Sequence, residues 1–555
     1  MKELFATIVN RLFNKILELW STSESRSSEL TLLFIAILLL LCTSVAWLGA
    51  VPTFIDGHDI FFFLENGWRT LQNLRPHVDF WSPWGPLTFL IQALGLKLSH
   101  YSPNGVAYGS AIVALVAGLW TYQLGRARLA PVPRALLGLY AAVLASSPHP
   151  LGMNILLLSH AMAYNRYGYA LLIPVLLECS QRPADSLPTS REYIAGMSTG
   201  VAVALALLLK ASYFLVGCGL IVVSLLLWFP SVRRLLGILF GFATTMFVGL
   251  AYLHFDLPAM LRALRMAAGA RSATYTFEAP IFQLVNHQAL YGDIGLAIAL
   301  AIVASFLKPK RPEWLGELSL LVTAAVLCIA DLALILTNMQ MAGLPLLGAF
   351  AILVANQLTN YPVYSPPEPA SGLTIPYATS ILVMAGLLFL PLFTSDVLAL
   401  FVAALREHHP PHGCSVRFTE PRVAGLILCD YDQDPWANGG NYTTYINDGA
   451  ALLRQNGIPT DKVLTLDGQN PFPYVLGWPT PRGGFANMAF NQTVSAKFRP
   501  SFDEYFGDAT VVMVPKRPAQ KAPNFDGFME IYGPEVQRRF NLTAESDWFW
   551  LYKRK

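Results

Sequence analysis

Charged residues are scarce in this chain. Aspartate, glutamate, lysine and arginine make up 13% of its 555 residues, whereas hydrophobic residues make up 54%. Soluble globular domains carry roughly twice that share of charge, so the composition argues against a soluble protein. The formal net charge is only +3, and no basic patch alternates with aromatic residues, which argues against nucleic-acid binding. No glycine-rich phosphate loop follows a strand-like run, so no nucleotide site is expected.

The N-terminal segment lacks the short apolar core and the small-residue cleavage site of a signal peptide. Residues 1–28 are instead polar and amphipathic, with cations at Lys2, Arg11, Lys15 and Arg26. We expect this segment to form a cytoplasmic amphipathic helix at the membrane surface.

Cysteine is also rare, with six residues in the whole chain. Four of them lie in apolar runs, where a free cysteine behaves as a small apolar side chain. Cys414 and Cys429 lie near the start of the C-terminal part and could pair in an oxidising compartment. Connectivity cannot be read from sequence, so this pairing is left open.

Long apolar runs are what the chain has in abundance. Runs of about 20 residues, the length that crosses a bilayer core, recur from Leu30 to Leu400. They predict a polytopic α-helical membrane protein with about eleven transmembrane helices. The predicted spans are 30–50, 103–124, 133–148, 163–179, 192–210, 212–229, 235–255, 290–307, 314–336, 342–357 and 375–402.

The apolar segment 86–98 is short for a span. Placed along the outer surface as a juxtamembrane helix, it leaves Arg126, Arg128 and Arg134 inside, as the positive-inside tendency favours. This choice puts the N-terminus in the cytoplasm and residues 406–555 outside.

The composition changes after residue 405, where proline, glycine and charge return. Short apolar runs at 424–429, 462–466 and 509–514 predict strands, and 445–455 predicts a helix that ends at Asn456-Gly457. This pattern is typical of a small α/β domain.

The predicted organisation therefore has three parts. Residues 1–28 form the cytoplasmic segment, 29–405 form the transmembrane catalytic domain, and 406–555 form a periplasmic α/β domain. The first outer loop of the catalytic domain covers residues 51–102.

Two acids lie in that loop, directly behind the first span, in Asp56-Gly57-His58-Asp59. A carboxylate at the mouth of an apolar bundle is costly to desolvate, so it is a functional candidate. The alternative is that these acids only cap the helix that follows. We treat Asp59 and Asp56 as candidate catalytic residues.

The loop resembles that of a known family. Asp59, Asn73, then Arg75-Pro76-His77-Val78-Asp79-Phe80, then Gly85-Pro86 resemble the GT-C superfamily of membrane glycosyltransferases, in the branch related to protein O-mannosyltransferases and lipid A aminoarabinose transferases. Many members carry an acid after the first helix, then Gly-x-x-Pro-Tyr-x-Asp-Phe, then a Gly-Pro that opens a surface helix. Asn73 here replaces the glycine and His77 the tyrosine, and either Asp59 or Asp56 occupies the acidic position. The detailed match ends near residue 130.

The resemblance implies an inverting glycosyltransferase of the bacterial inner membrane. Such enzymes move a sugar from a polyprenyl-phosphate-linked donor to a glycan, lipid or protein acceptor on the outer face. One acid of the first outer loop would act as general base, and cations would stabilise the phosphate leaving group. No cofactor is implied.

Several outer-face residues are candidates for substrate contact. The cations are Arg166, Lys210, Arg262 and Arg265; the alternative is that they anchor helix ends or snorkel to lipid headgroups. The other candidates are His58, His77, Asp79, Trp84 and His287. Asp79 has the alternative of organising a turn, and Trp84 of anchoring at the interface. The histidines also suggest a divalent metal site, but their spacing is not typical of metal ligands, so no metal is expected.

Two other functions remain open. A transporter or flippase of a lipid-linked saccharide would use similar cations and aromatics, but such proteins often show internal repeats, and we find none. A structural or assembly subunit would tolerate replacement of both Asp59 and Asp56.

Overall fold

A computed structural model gives the arrangement of most of the chain. It describes residues 27–180, 189–228, 230–272, 288–306, 314–338, 340, 342–357, 374–408, 414, 416–429, 439–516 and 522–555. The expected cytoplasmic helix falls almost wholly outside these residues, as does His287.

Helices dominate the chain up to residue 408. The described helices are α1 (Ser27–Leu48), α2 (Gly57–Leu71), α3 (Pro86–Leu98), α4 (Gly105–Gly125), α5 (Pro131–Ser146), α6 (Ala163–Cys179), α7 (Thr189–Leu209), α8 (Ala211–Trp228), α9 (Val232–Tyr252), α10 (Leu257–Ser272), α11 (Gln288–Phe306), α12 (Trp314–Asn338), α13 (Pro345–Asn356) and α14 (Thr374–His408). Each of the eleven predicted spans coincides with one of them. Among the described residues, seven helices are long and apolar enough to cross a membrane, namely α1, α4, α7, α8, α9, α12 and α14. The prediction of a polytopic helical membrane protein is confirmed.

Helix α6 lies at the centre of the bundle. Every residue from Ala163 to Cys179 is buried, and the helix packs against α4, α5, α7, α8 and α13. At its C-terminal end, Glu178 accepts hydrogen bonds from Arg128 (2.6 Å) and Arg234 (2.9 Å). This buried ion cluster joins α6 to α9 and to the α4–α5 connection, at the end of the bundle that the sequence places in the cytoplasm.

Helix α3 has the bounds that the sequence predicts for the juxtamembrane helix, and its placement along the membrane surface stays a prediction. It begins at Pro86, after extended Gly85, where proline's fixed φ favours a first turn. It packs between α2 and α4. A Cβ added at Gly95 would lie 2.0 Å from the carbonyl oxygen of Gly105, so glycine permits this close approach of α3 to α4.

We expect Gly95→Ala to destabilise the protein by about 1–3 kcal/mol, because the methyl group meets backbone that cannot yield without separating the two helices. The melting temperature in detergent or nanodiscs measures this. Gly219→Ala is the matched control, since a Cβ at Gly219 in α8 meets nothing within 4 Å. Equal melting temperatures for the two variants would contradict the close packing of α3 and α4.

The C-terminal part forms a small α/β unit. Its described helices are α15 (Gly439–Asn456), α16 (Phe472–Leu476), α17 (Phe502–Phe506) and α18 (Ala522–Arg539), and its strands are β1 (Val463–Thr465), β2 (Val511–Pro515), β3 (Phe540–Glu545) and β4 (Phe549–Arg554). The sheet order is β1-β2-β4-β3. Strands β1 and β2 are parallel, with Val463 opposite Val511, and the other two pairs are antiparallel. An α/β unit at the C-terminus agrees with the sequence prediction.

The predicted strand at 424–429 is wrong. The chain there follows a 3-10 turn at Pro421–Val423, and only Leu428 forms a bridge, to Thr53 of the first outer loop. Thr53 N donates to Ile427 O at 2.9 Å, and Cys429 N donates to Thr53 O at 2.8 Å. The apolar run therefore packs on the transmembrane part instead of entering the sheet. The structure also pairs Cys414 with Cys429, which the sequence left open.

Candidate functional site

Helix α2 carries the first candidate acids and lies between two layers. On one side, the Phe62 ring contacts Trp84 (4.8 Å between centroids) and Tyr164 (5.9 Å), on the transmembrane side. On the other side, the Phe61 ring contacts Tyr442 of the C-terminal domain (5.8 Å). Phenylalanine pairs of this geometry add to the stability gained from burial. The helix is therefore held between the bundle and the C-terminal domain.

A row of buried polar contacts, which we call the polar seam, joins α2 to the C-terminal domain through Glu65, Asn66 and Arg69. Arg69 Nε donates to Glu65 Oε1 (3.1 Å) and its Nη1 donates to Gly483 O (3.2 Å). Asn66 Nδ2 donates to Ala486 O at 2.9 Å. Burial raises the pKa of the Glu65 carboxyl to about 7, against the opposing effect of Arg69. Both charges are almost completely buried, so each depends on the other.

The two charges of the Glu65–Arg69 pair should depend on each other for the stability of the fold. We expect Arg69→Met to lower the unfolding free energy by about 3–5 kcal/mol, because it leaves a carboxylate buried without its partner. The double variant Glu65→Leu with Arg69→Met removes both charges and should recover much of that loss. A double-mutant cycle on melting temperature measures the coupling. Additive effects of the two substitutions would show that the charges are independent.

The turn around Asp79 packs against the same part of the C-terminal domain. The Asp79 carboxylate accepts from Arg75 N (2.8 Å), and its backbone carbonyl accepts from Gly483 N (2.6 Å). Trp81 N donates to Gly484 O at 2.9 Å. His77 is buried in this turn with φ of 69°, and burial lowers the pKa of its imidazole to about 4. Asp79 and His77 thus lie where the loop meets the C-terminal domain.

The acid centre, defined as Asp56, His58 and Asp59, lies at the start of α2. His58 Nε2 is 3.3 Å from Asp59 Oδ1, and the His58 ring lies edge-on to Tyr442 at 6.5 Å. Burial raises the pKa of the Asp59 carboxyl to about 6; the charge of Asp56 raises it further, and His58 opposes both. Asp56 has left-handed backbone, and its side chain makes no capping hydrogen bond, so the structure does not support the capping alternative for Asp56.

Lys210 lies in the break between α7 and α8. Its Nζ is 3.4 Å from Asn165 Oδ1 and 4.8 Å from the centroid of the Tyr164 ring. Tyr164 also packs against Trp84, with 5.5 Å between ring centroids, and interacts electrostatically with Asp59. Tyr164 therefore interacts with both the candidate base and a candidate cation.

Arg271, at the end of α10, belongs to the same region. Its guanidinium donates to the carbonyl oxygens of Thr337 (2.6 Å) and Leu336 (3.3 Å). It interacts electrostatically with both Tyr164 and Lys210. Two cations, Lys210 and Arg271, and the two carboxylates of the acid centre therefore all interact with Tyr164.

The other predicted cations lie elsewhere. Arg166 is buried and forms a salt bridge with Asp396, with 2.9 Å between Nη1 and Oδ1. Arg262 is exposed on α10, 3.6 Å from the Glu504 carboxylate of the C-terminal domain. Arg265 is exposed on the same helix. Lys210 contacts Tyr164 and Asn165, whereas Arg166 has its own counter-ion.

The described residues offer no group of three or more histidine, cysteine, aspartate or glutamate side chains placed to hold a metal ion. The acid centre has two carboxylates and one imidazole in sequence, but His58 pairs with Asp59. Its chemistry is that of a carboxylate whose proton affinity is raised by burial.

The ionised carboxylate of Asp59 should lower the unfolding free energy of the protein at neutral pH. Its pKa is higher in the folded state than the ordinary 3.8, so stability falls as pH rises from about 4 to 6. We expect Asp59→Asn to raise the melting temperature at pH 7.5 by an amount on the order of 2 °C. The gain should shrink toward pH 5.

Thermal denaturation at the two pH values measures this effect. Asp547→Asn, at an exposed acid of the C-terminal domain, is the control and should change little at either pH. A lower melting temperature for Asp59→Asn at pH 7.5 would mean that the charged carboxylate stabilises the fold.

Tyr164, Asn165 and Tyr442 were missed by sequence reasoning. Tyr164 and Asn165 flank the predicted Arg166 at the start of a span, and this polar Tyr-Asn-Arg run is the only signal that pointed to them. Tyr442 gives no signal, because it reaches the acid centre only through the packing of α15 on α2.

Comparisons with known proteins were made for the whole chain. No family model and no curated protein matches it. Among solved structures, ArnT from Cupriavidus metallidurans in the apo state matches with 13% identity and a TM-score of 0.37, covering 95% of this chain and 98% of that one. ArnT bound to undecaprenyl phosphate matches with 13% identity, a TM-score of 0.36 and coverages of 94% and 97%.

Arabinofuranosyltransferase AftD from Mycobacteria matches with 14% identity and a TM-score of 0.37, over 96% of this chain and 40% of that one. These proteins belong to the superfamily that the first outer loop resembles. With TM-scores below 0.5, these likenesses carry no argument about the site.

Proposed function

We propose that this protein is a membrane glycosyltransferase that moves a sugar from a polyprenyl-phosphate-linked donor to a hydroxyl group of a glycan, lipid or protein acceptor. One observation carries the proposal: Tyr164 contacts Lys210, with 4.8 Å from Nζ to the ring centroid, and interacts electrostatically with Asp59. A transfer from a phosphate-linked sugar needs a base for the acceptor and a cation for the phosphate, and both are present here.

Asp59 is the proposed general base. Its pKa of about 6 leaves the carboxylate largely ionised at pH 7 and makes it a better proton acceptor than an ordinary aspartate. It would remove the proton of the acceptor hydroxyl as that oxygen attacks the anomeric carbon. Asp56 adds negative charge beside Asp59 and thereby raises its basicity.

Lys210 is the proposed phosphate contact, together with Arg271. Within the described part of the chain, no carboxylate forms a salt bridge with Lys210; its ammonium contacts an amide oxygen and an aromatic ring. A cation placed in this way can stabilise the negative charge that develops on the departing phosphate. Trp84 and Tyr164 form an aromatic wall beside it, suited to the apolar face of a sugar.

The charge distribution supports an outer-face reaction. The cluster of Arg128, Arg234 and Glu178 lies at the opposite end of α6 from Tyr164. Arginines concentrate on the cytoplasmic side of membrane proteins. We therefore place the acid centre and residues 406–555 in the periplasm of a bacterial inner-membrane protein, with the N-terminus in the cytoplasm.

The test is transfer of labelled sugar from a panel of polyprenyl-phosphate sugars by protein in nanodiscs. Asp59→Asn should lower kcat by about 10²–10⁴-fold, the usual contribution of a general base. Lys210→Met should lower kcat/KM by a similar order, because the phosphate loses its cation. The wild-type kcat/KM should fall below pH 6, as Asp59 takes up its proton.

Asp547→Asn and Lys97→Met replace an exposed acid and an exposed lysine and should leave transfer unchanged. Activity retained by Asp59→Asn and lost by Asp56→Asn would move the base to Asp56. If the protein consumes no donor but moves lipid-linked saccharide across the bilayer, it is a transporter and not a glycosyltransferase. Activity retained by both aspartate variants would overturn the proposed mechanism.

A further inference from the structure

A small pocket lies against Asn165, the residue whose side-chain oxygen contacts Lys210. It is lined by three residues of the 150–153 turn and by Met162, Asn165, Arg166 and Gln340, and its cavity volume is about 10 Å³. We call it the amide pocket. A cavity of this size holds one water molecule or one hydroxyl group, so the polar atoms of its wall determine which group is stabilised there.

The two amides of this pocket present their NH₂ groups. Asn165 Oδ1 accepts from Lys210 Nζ (3.4 Å) and Gln340 Oε1 accepts from Tyr169 Oη (3.1 Å). The nitrogen atoms, Asn165 Nδ2 and Gln340 Nε2, make no hydrogen bond of standard geometry within the described structure, and Gln340 also interacts more weakly with the Tyr213 hydroxyl. Both residues are at least 95% buried. Buried donors without partners are costly, so a ligand that supplies acceptor oxygens would be stabilised here.

The pocket carries no net positive charge. Arg166, its only charged lining residue, is 2.9 Å from Asp396 Oδ1 and also donates to the carbonyl oxygens of His149 (2.7 Å) and Leu144 (3.1 Å). A phosphate group does not fit a cavity of about 10 Å³, and the only charged residue that lines the cavity is already paired. Neutral oxygen atoms, such as sugar hydroxyls, match two amide donors.

The pocket is also joined to the proposed phosphate cations. Asn165 contacts Lys210 directly, and the stretch that ends in Gln340 begins at Leu336 and Thr337, whose carbonyls hold Arg271. Asn338 of the same stretch donates to Tyr213 Oη at 3.0 Å. A phosphate held by Lys210 would thus have the amide pocket as its neighbour.

We infer that the amide pocket binds hydroxyl groups of the transferred sugar, with Gln340 and Asn165 as specificity-determining residues. This inference rests on the proposed function, because it places the sugar of the lipid-linked donor next to the phosphate site. A site that hydrogen-bonds a substrate hydroxyl discriminates strongly against analogues that lack it. The amides would therefore select among donors that share the same lipid and phosphate.

The test compares binding of two kinds of probe to protein in nanodiscs. One probe is undecaprenyl phosphate, and the other is a panel of undecaprenyl-phosphate pentoses and hexoses. Wild-type protein should bind at least one sugar-bearing lipid more tightly than the bare carrier. Gln340→Met should weaken binding of that lipid about tenfold, the loss expected for one hydrogen bond, and leave the affinity for undecaprenyl phosphate unchanged.

Gln340→Glu is the second variant, since it keeps the acceptor for Tyr169 but removes the NH₂ donor, and it should show the same selective loss. Gln469→Met is the matched control: Gln469 of the C-terminal domain is buried to the same extent, and its amide atoms also have no partner. It should change neither affinity. Melting temperatures identify any variant that is misfolded.

Each remaining outcome separates the two proposals. If both Gln340 variants keep the full preference for the sugar-bearing lipid, the pocket does not contact the sugar and the inference is overturned while the proposed function stands. If they weaken both probes equally, the pocket contacts the phosphate, which also overturns it. If the wild type prefers no sugar of the panel to the bare carrier, the inference fails. If it binds neither probe, the proposed function fails as well.

Discussion

The burial of Glu65 and Arg69 against the C-terminal domain is the interaction on which the rest of the site depends. This pair lies two turns along α2 from Asp59, on a helix that is rigid over that length. The pair fixes α2 against backbone groups at Tyr474 and Gly483. Burying either charge without the other is unfavourable, so the contact forms only when α2 and the C-terminal domain are both in place. The position of Asp59 is therefore set by two parts of the chain that are far apart in sequence.

This dependence explains why α2 can hold a destabilising acid. Removing Asp59 from water raises its pKa, which means that the folded protein carries the cost of its charge at neutral pH. The aromatic contacts of Phe61 and Phe62 on the two sides of the helix offset that cost. A strained or costly group held in place by its surroundings is the arrangement expected of a functional site.

Much of the fold could be predicted from sequence because apolar length and turn residues act locally. The surface helix at 86–98 follows from Gly85-Pro86 and a run too short to span. Strands β3 and β4 could not be predicted, since β3 buries only Phe540 fully and lacks a clear alternation. The run at 424–429 was misassigned because its partner is Thr53, which periodicity within the run cannot reveal.

The candidate site was predictable in its acids, in His58 and Trp84, and in Lys210. A carboxylate or a lysine at the end of an apolar run is unusual enough to be noticed in sequence. Tyrosine, asparagine and glutamine are common at helix ends and are therefore not noticed in sequence. Their role in this site arises from contacts between helices. Tyr164, Asn165 and Gln340 become informative once Lys210 and Tyr169 show which of their atoms are already engaged.

Charge compensation offers a physical criterion for choosing among the buried cations. Arg69 pairs with Glu65, Arg166 with Asp396, and Arg128 with Glu178. Each of these arginines is accounted for by a structural role, because its ion pair joins parts of the fold. Lys210 has no carboxylate partner among the described residues. A buried cation without a counter-ion is unfavourable unless a ligand supplies the anion. That asymmetry, more than the number of cations near the outer face, favours Lys210 over Arg166 as the residue that meets a phosphate.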